Sequence, residues 1–205
     1  DELVKRIGAA NTLKMTSNGI YGYNTDYYGF TESVSKTKLK DKTVSLIGAG
    51  GAAKAVIIAL EDLGVKDINV YARNPGKAEA NIPRVINSEL KLQLYTPEID
   101  LSDSAMIINC TPVGQGRLAD NIPITEEQIQ TLDKKTIVYD LIYSKTKLLK
   151  TAEDLGLKTM DGSQMLVLQA VQSLSLWSEK DIDDGLKKAM TKAFTNETNT
   201  YHQHR

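Results

Sequence analysis

The chain has 205 residues, of which 41% are hydrophobic and 25% charged, and its formal net charge is −1. This length is enough for one α/β domain, or for one domain plus part of another. A nearly neutral chain offers no global positive field, so we expect neither nucleic acid nor a membrane as a partner. Cys110 is the only cysteine, which excludes an internal disulfide and a cysteine-based zinc site. We therefore expect a cytoplasmic protein without a bound metal.

The first 40 residues are expected to form a hairpin followed by a helix. Residues 7–13 and 20–24 read as two strands around the turn-forming segment 16–19, and residues 27–36 as a linking helix. A hairpin and one helix are too little to fold alone, so this segment should complete another layer. The chain also starts at Asp1 without an initiator Met or a signal peptide, which fits a sequence that begins within a longer gene product.

From residue 43 onward, strand and helix patterns alternate. Predicted strands cover residues 43–47, 68–72, 105–110 and 136–143, and predicted helices follow the first and the last of them. Two further helices are expected over residues 163–177 and 182–194, before a polar tail at 196–205 that we expect to fray. This order predicts the α/β class, with a Rossmann-like, doubly wound parallel sheet.

A glycine-rich turn lies between the first of these strands and its helix. Gly48-Ala49-Gly50-Gly51-Ala52-Ala53 matches the G-x-G-x-x-A pattern in the context that a dinucleotide site requires. Gly48 permits the tight turn, Gly50 lets backbone approach a pyrophosphate, and Ala53 keeps the helix close to the strand. The helix N-terminus then offers N–H groups to the anion. A glycine-rich turn without a ligand is the alternative interpretation.

The end of the second strand indicates which nicotinamide cofactor binds. An NAD site usually has Asp or Glu about 20 residues past the glycines. Here Arg73 stands twenty residues after Ala53, followed by Asn74 and Lys77, and no carboxylate occurs from 71 to 78. Arginine and lysine suit a 2′-phosphate, so we predict NADP. The alternative is that both are solvated surface cations.

Several segments in order resemble the shikimate dehydrogenase (shikimate 5-dehydrogenase) family. They are Gly8-Ala9-Ala10-Asn11-Thr12, Gly22-Tyr23-Asn24-Thr25-Asp26, the glycine-rich turn, Asn109-Cys110-Thr111-Pro112-Val113-Gly114, Tyr139-Asp140-Leu141-Ile142-Tyr143, and Asp161-Gly162 with Met165 and Gln169. The resemblance extends to about Trp177. It implies NADP-dependent, reversible reduction of 3-dehydroshikimate to shikimate, in aromatic amino-acid biosynthesis.

The resemblance also implies roles for individual residues. Asn11, Asp26, Tyr143 and Gln169 would bind the substrate, and Asp26 would also be catalytic. The residues implied at the cofactor are Gly48, Ala49, Gly50, Gly51, Ala52, Ala72, Arg73, Asn74, Lys77, Thr111, Pro112, Val113, Leu141 and Gly162. Taken alone, Asn11 could be a turn amide, Asp26 a helix N-cap, Gln169 a surface residue and Tyr143 a core residue.

The chain departs from the family in its proton-transfer group. The family uses a Lys–Asp pair, in which the lysine precedes the asparagine matched by Asn11 by more than the ten residues available here. Lys5 is the only lysine among those ten and does not match the motif. We therefore expect a truncated form that binds NADP but turns shikimate over negligibly.

The expected domains follow from these matches. Residues 1–40 would be the remnant of a substrate-binding domain plus a linking helix, residues 41–162 the NADP-binding domain, and residues 163–205 helices that close onto both. Exposed apolar hairpin surface makes a homodimer a reasonable hypothesis. Three alternatives stay open: a quinate/shikimate dehydrogenase relative, a non-catalytic NADP-binding remnant, and one piece of a larger or fused enzyme.

Overall fold

A computed structural model describes residues 1–80, 82–84 and 87–202, with side chains as far as Phe194. The N-terminal part holds two helices and a hairpin: α1 (Glu2–Ile7), β1 (Thr12–Thr16), β2 (Gly19–Tyr23) and α2 (Thr25–Ser33). The strand predicted over 7–13 is wrong in its first part, because α1 ends at Ile7, residues 8–11 form a turn and loop, and the strand begins only at Thr12. Asp1 caps α1 through a bond from the Leu3 amide, and Gly8 ends the helix in the left-handed conformation with φ of 69°.

The rest of the chain alternates strands with helices. The elements are β3 (Thr43–Ile47), α3 (Gly51–Asp62), β4 (Asp67–Ala72), α4 (Pro75–Glu79), β5 (Glu89–Leu94), β6 (Met106–Asn109), α5 (Glu126–Gln130), β7 (Ile137–Asp140), α6 (Lys147–Asp154), β8 (Lys158–Met160), α7 (Ser163–Ser178) and α8 (Asp184–His202). The last helix continues through most of the tail that was expected to fray; residues 203–205 lie outside the described residues.

Strands β3 to β8 form one parallel sheet in the order β5-β4-β3-β6-β7-β8. In chain order this is the doubly wound sequence 3-2-1-4-5-6, which confirms the predicted fold class. The order reverses between β3 and β6, so their carboxyl ends open a crevice where such folds bind ligands.

Side chains that alternate along the strands pack into two separate hydrophobic cores, one on each face of the sheet. Leu46, Ile108 and Tyr139 belong to one cluster, which also holds residues of α2, α3 and α7. Ile107 and Val138, next to them in the strands, belong to the other cluster, with residues of α6. Helices therefore cover both faces, and both clusters exclude water from the sheet.

The N-terminal part is fixed to this sheet through α2. Phe30 is fully buried and stacks on Tyr139, with ring centroids 5.7 Å apart, and the Ser33 hydroxyl lies 2.9 Å from the Tyr139 hydroxyl. At Gly29 the helix lies so close to α7 that an added Cβ would be 2.5 Å from the Met165 carbonyl oxygen. Only glycine permits this approach, which brings α7 beside the hairpin.

Candidate active site

The crevice at the sheet reversal is shaped by Gly48. Its φ of 102° is unfavourable for other residues, and an added Cβ would lie 2.7 Å from Thr111 Cγ2 and 3.2 Å from the Cys110 carbonyl carbon. The Gly48 amide donates to the Tyr71 carbonyl at 2.8 Å. The turn after β3 is therefore pressed between the ends of β4 and β6, and glycine is required there.

The N-terminus of α3 opens onto the same crevice. Gly50 is the N-cap residue, in extended conformation and without a side-chain capping bond, and an added Cβ on Gly50 or Gly51 would meet nothing within 4 Å. The first N–H groups of this twelve-residue helix have no partner within the helix, and the space beside Gly50 and Gly51 is open. Behind them Ala53 is buried and packs α3 against the sheet. This cradle fits the pyrophosphate of a dinucleotide.

Cationic side chains follow β4 at the same sheet edge. Arg73 and Lys77 are exposed, whereas Ala72 is buried at the strand end. Asn74 caps α4, since its side-chain oxygen accepts from the Lys77 amide at 3.0 Å. In the described part of the chain the Arg73 guanidinium has no protein partner. It is available to an anionic group from outside the protein.

Two further predicted cofactor segments lie beyond β6 and β7. Thr111 and Val113 are half-buried and Pro112 is exposed, on the turn that follows β6. Leu141 and Gly162 approach closely, because an added Cβ on Gly162 would clash with the Leu141 carbonyl oxygen. Glycine is therefore required at 162 as well.

Sequence reasoning missed the residues that connect these two segments. Asn109 and Asp140 are both fully buried, and the Asn109 amide donates to an Asp140 carboxylate oxygen at 3.0 Å. Both stood inside the quoted motifs, but neither had a chemical role. The signal that could have found them is a polar residue at the end of each of two apolar, central strands.

A second polar group joins the hairpin, α2 and α7. The Asn11 side-chain oxygen accepts from the Thr25 amide at 2.8 Å and from the hydroxyls of Thr12 and Thr25 at 3.1 and 3.2 Å. Its side-chain amide donates to Gln169 Oε1 at 3.4 Å. Since the oxygen is occupied, only the side-chain N–H groups of Asn11 can reach a ligand, in place of their present bonds to Gln169 and Asp26.

Behind Asn11, three hydroxyl groups form a buried cluster that the sequence did not reveal. Thr12 Oγ1 lies 3.2 Å from Thr25 Oγ1 and 3.0 Å from Ser173 Oγ, and the last two lie 3.1 Å apart. The cluster joins β1, α2 and α7 and fixes the orientation of the Asn11 amide.

Asp26 lies in the first turn of α2. It is not the N-cap that its position had suggested, because Asn24 takes that place and accepts from the Tyr27 amide. Burial raises the pKa of Asp26, and a hydrogen bond from Asn11 opposes that rise. A carboxyl with a raised pKa can exchange a proton with a bound oxygen. No lysine of the described residues forms an ion pair with it.

Tyr143 stands apart from this polar group. Its side chain is 50% exposed and meets Phe194 of α8 edge-on, at a centroid distance of 6.0 Å. It makes no hydrogen bond to Asn11, Asp26 or Gln169 within the described part of the structure. The chain therefore brings together three of the four predicted substrate residues.

Two clefts elsewhere on the surface do not coincide with the crevice. One of about 400 Å³ lies at the amino ends of β3, β4 and β5, at the opposite edge of the sheet, and is lined by charged and polar residues. Another of about 320 Å³ lies beside β8 and α6. The crevice is an open groove, identified by its glycine contacts.

Among the described helices, none has the length and apolar composition needed to cross a membrane.

Comparisons with known proteins give consistent results. An NADP(+) shikimate dehydrogenase of Clostridium botulinum is 35% identical over 184 residues, which cover 88% of this chain and 69% of the relative. The structure of a chorismate mutase/shikimate 5-dehydrogenase fusion protein from Clostridium acetobutylicum superimposes with a TM-score of 0.84 and 34% identity, over 97% of this chain and 71% of that one. The structure of ligand-free 5-ketofructose reductase from a Gluconobacter strain superimposes with a TM-score of 0.80 and 30% identity, over 96% of this chain and 71% of that one. No protein-family model matches the chain.

Proposed function

This chain belongs to the shikimate dehydrogenase family, and on that premise we propose that it binds NADP and that its site serves the reversible reduction of 3-dehydroshikimate to shikimate, with little turnover by this polypeptide alone. The observation that carries the proposal is the open glycine cradle at the N-terminus of α3, with Arg73 at the neighbouring strand end. A biosynthetic role in the cytoplasm is part of the proposal, supported by a single unpaired cysteine.

The proposed cofactor site follows the crevice from β4 to β8. Gly48 to Ala52 would hold the pyrophosphate, and the segment from Ala72 to Lys77 the 2′-phosphate and adenosine. Thr111, Pro112, Val113, Leu141 and Gly162 would line the ribose and nicotinamide. Asn74 would act partly through the α4 cap, because its side-chain oxygen is already bonded to the Lys77 amide.

The proposed substrate site is the polar group of Asn11, Asp26 and Gln169, with Tyr143 reaching it from the nucleotide-binding side. NADP, when bound, accepts or supplies the hydride. Asp26 would hold or move the proton of the reacting oxygen, since burial raises its pKa and so favours uptake of a proton. Asn11 would donate to a substrate hydroxyl or carbonyl oxygen in place of its long bond to Gln169, because its own oxygen is occupied.

The cofactor part is tested by fluorescence titration with NADPH and NADH. We expect NADPH to bind more tightly, and Arg73→Ala to lower NADPH affinity roughly tenfold or more, the value of a charge-assisted bond, while leaving NADH nearly unchanged. Lys158→Ala is the control, since this exposed cation lies at the amino end of β8, away from the crevice. Equal affinity for both dinucleotides, or binding of neither, would contradict the proposal.

Turnover by the 205-residue polypeptide alone is proposed to be slow, because no lysine of the described residues is paired with Asp26. Steady-state rates with shikimate and NADP test this, and a rate typical of enzymes, about 10 s⁻¹, would contradict it.

Similarity to the 5-ketofructose reductase favours a second candidate function, reduction of a keto sugar. Measuring the reduction of 3-dehydroshikimate and of 5-ketofructose by the same polypeptide separates the two candidate functions.

We also propose the domain division at residues 40 and 162, and self-association through the hairpin. Leu13, Met15 and Ile20 are 61%, 80% and 68% exposed and share one face of the two-stranded sheet. Apolar surface of this kind favours association. Light scattering should show a dimer that the double change Met15→Lys and Ile20→Lys weakens; a monomer at high concentration would contradict this.

A further inference from the structure

We propose that Asp140 and Asn109 are positioning residues, which hold the turn after β6 and the segment after β7 as the two walls of the nicotinamide end of the crevice. The inference rests on the proposed binding of NADP. Neither side chain is exposed, so neither would touch the cofactor directly.

Asn109 holds the turn after β6 from inside. Its side-chain oxygen accepts from the Thr111 amide at 2.9 Å and from the Thr111 hydroxyl at 2.6 Å. Its side-chain amide donates to the Val113 carbonyl at 3.0 Å and to Asp140 at 3.0 Å. All the hydrogen-bonding capacity of the Asn109 side chain is used. The turn therefore keeps this conformation as long as the Asn109 amide keeps its orientation.

Asp140 fixes that orientation from the next strand. The sheet register places it directly beside Asn109. One carboxylate oxygen accepts from Asn109 and from the Ile142 amide at 3.1 Å, and the other accepts from the Thr146 hydroxyl at 2.8 Å. Each of the three groups donates to Asp140, which suits the ionised form.

The two walls also contact each other directly. Gly114 has a φ of 111°, and an added Cβ there would lie 3.1 Å from Thr146 Cγ2 and 3.3 Å from Ile142 Cδ1. The Gly162 amide donates to the Ile142 carbonyl at 3.0 Å. Loss of the Asp140 carboxylate would therefore release both walls together.

The charge on Asp140 is maintained at neutral pH. Burial raises its pKa to about 6, against the hydrogen bonds from Thr146, Ile142 and Asn109. At pH 8 the carboxylate is ionised and all three donors are satisfied. No buried side-chain nitrogen or oxygen of the described residues lacks a partner, so removing Asp140 would leave such groups unpaired.

The experiment measures two ligands on the full chain at pH 8: NADPH, and 2′-phospho-ADP-ribose, which lacks the nicotinamide. Asp140→Ala should lower the affinity for NADPH about tenfold, which corresponds to about 1.4 kcal/mol, and leave the affinity for 2′-phospho-ADP-ribose unchanged. Asp140→Asn should retain most of the affinity, because its side-chain oxygen can still accept from Asn109 and Ile142. Thr146→Val removes one donor to Asp140 together with the N-cap bond of α6, and should give a smaller but equally selective loss of NADPH affinity, even if Asp140→Ala does not fold.

The outcomes are distinct. If Asp140→Ala and Thr146→Val weaken both ligands equally, these residues only support the domain as a whole and the inference is overturned. Unchanged NADPH affinity in both variants overturns it too. If the unmodified chain binds neither ligand, it is the proposed function that fails.

Discussion

The crossing of α2 and α7 at Gly29 allows a quantitative prediction. In Gly29→Ala the new Cβ would lie 2.5 Å from the Met165 carbonyl oxygen and 3.1 Å from the Gln169 amide nitrogen. Ordinary contact begins at 3.4 Å, so the helices would have to separate by about 0.9 Å, the difference between 3.4 and 2.5. Backbone, rather than a flexible side chain, is in the way.

The cost follows from two opposing effects. Overpacking a core costs about 1–3 kcal/mol, and contact with backbone places this change near the upper end. Replacing glycine by alanine within a helix recovers about 1 kcal/mol. We expect a net loss of about 2 kcal/mol in the free energy of unfolding, which lowers Tm by roughly 4–8 °C for a chain of this length.

Gly76→Ala is the matched control, because Gly76 also lies in a helix, and its added Cβ would come no closer than 3.8 Å to Asn74 Oδ1. It should leave stability unchanged or raise it by up to about 1 kcal/mol. Urea unfolding followed by circular dichroism measures both variants. If the two variants prove equally stable, the close approach of α2 and α7 is not as described and the reasoning fails.

Three further changes test other parts of the structure. The pKa of Asp140 is raised from an ordinary 3.8 to about 6, so its contribution to stability rises by about 2 kcal/mol as the pH falls from 7 to 4. Asp140→Asn should remove that part of the pH dependence of unfolding. Tyr27→Phe removes the bond from the Tyr27 hydroxyl to Asp62 at 2.7 Å and should cost about 1–2 kcal/mol in urea unfolding; no loss would show that the bond contributes nothing. Phe30→Ala should cost about 3–5 kcal/mol by the same measurement, because the ring is fully buried against Tyr139, and a loss below 1 kcal/mol would contradict that packing.

The sequence predicted the central elements of the sheet well, for a physical reason. Strands such as β3 and β6 are buried on both faces, so they appear as short continuous apolar runs, and α3 shows clear amphipathic spacing. Peripheral elements were missed: β5 is a largely exposed edge strand, and β8 has three residues. The helix α1 was not predicted although Asp1 and Gly8 mark its ends, because its six residues give too short a pattern.

The candidate site was predictable only where one local segment carries it. The glycine turn and Arg73 each belong to a single strand end, so the pattern itself places them at the carboxyl edge of the sheet. The pairing of Asn109 with Asp140 depends on register between strands 31 residues apart in sequence. The hydroxyl cluster of Thr12, Thr25 and Ser173 needs three elements to meet, which no local pattern encodes.

Trp177, the only tryptophan of the chain, lies at the end of α7 and donates its indole N–H to the Leu13 carbonyl at 2.9 Å. The bond holds β1 of the hairpin against α7, the helix that carries Gln169. Because the indole is 58% exposed, its emission should respond to the polarity of its immediate surroundings. The protein thus carries a built-in optical probe of hairpin docking, which needs no added dye.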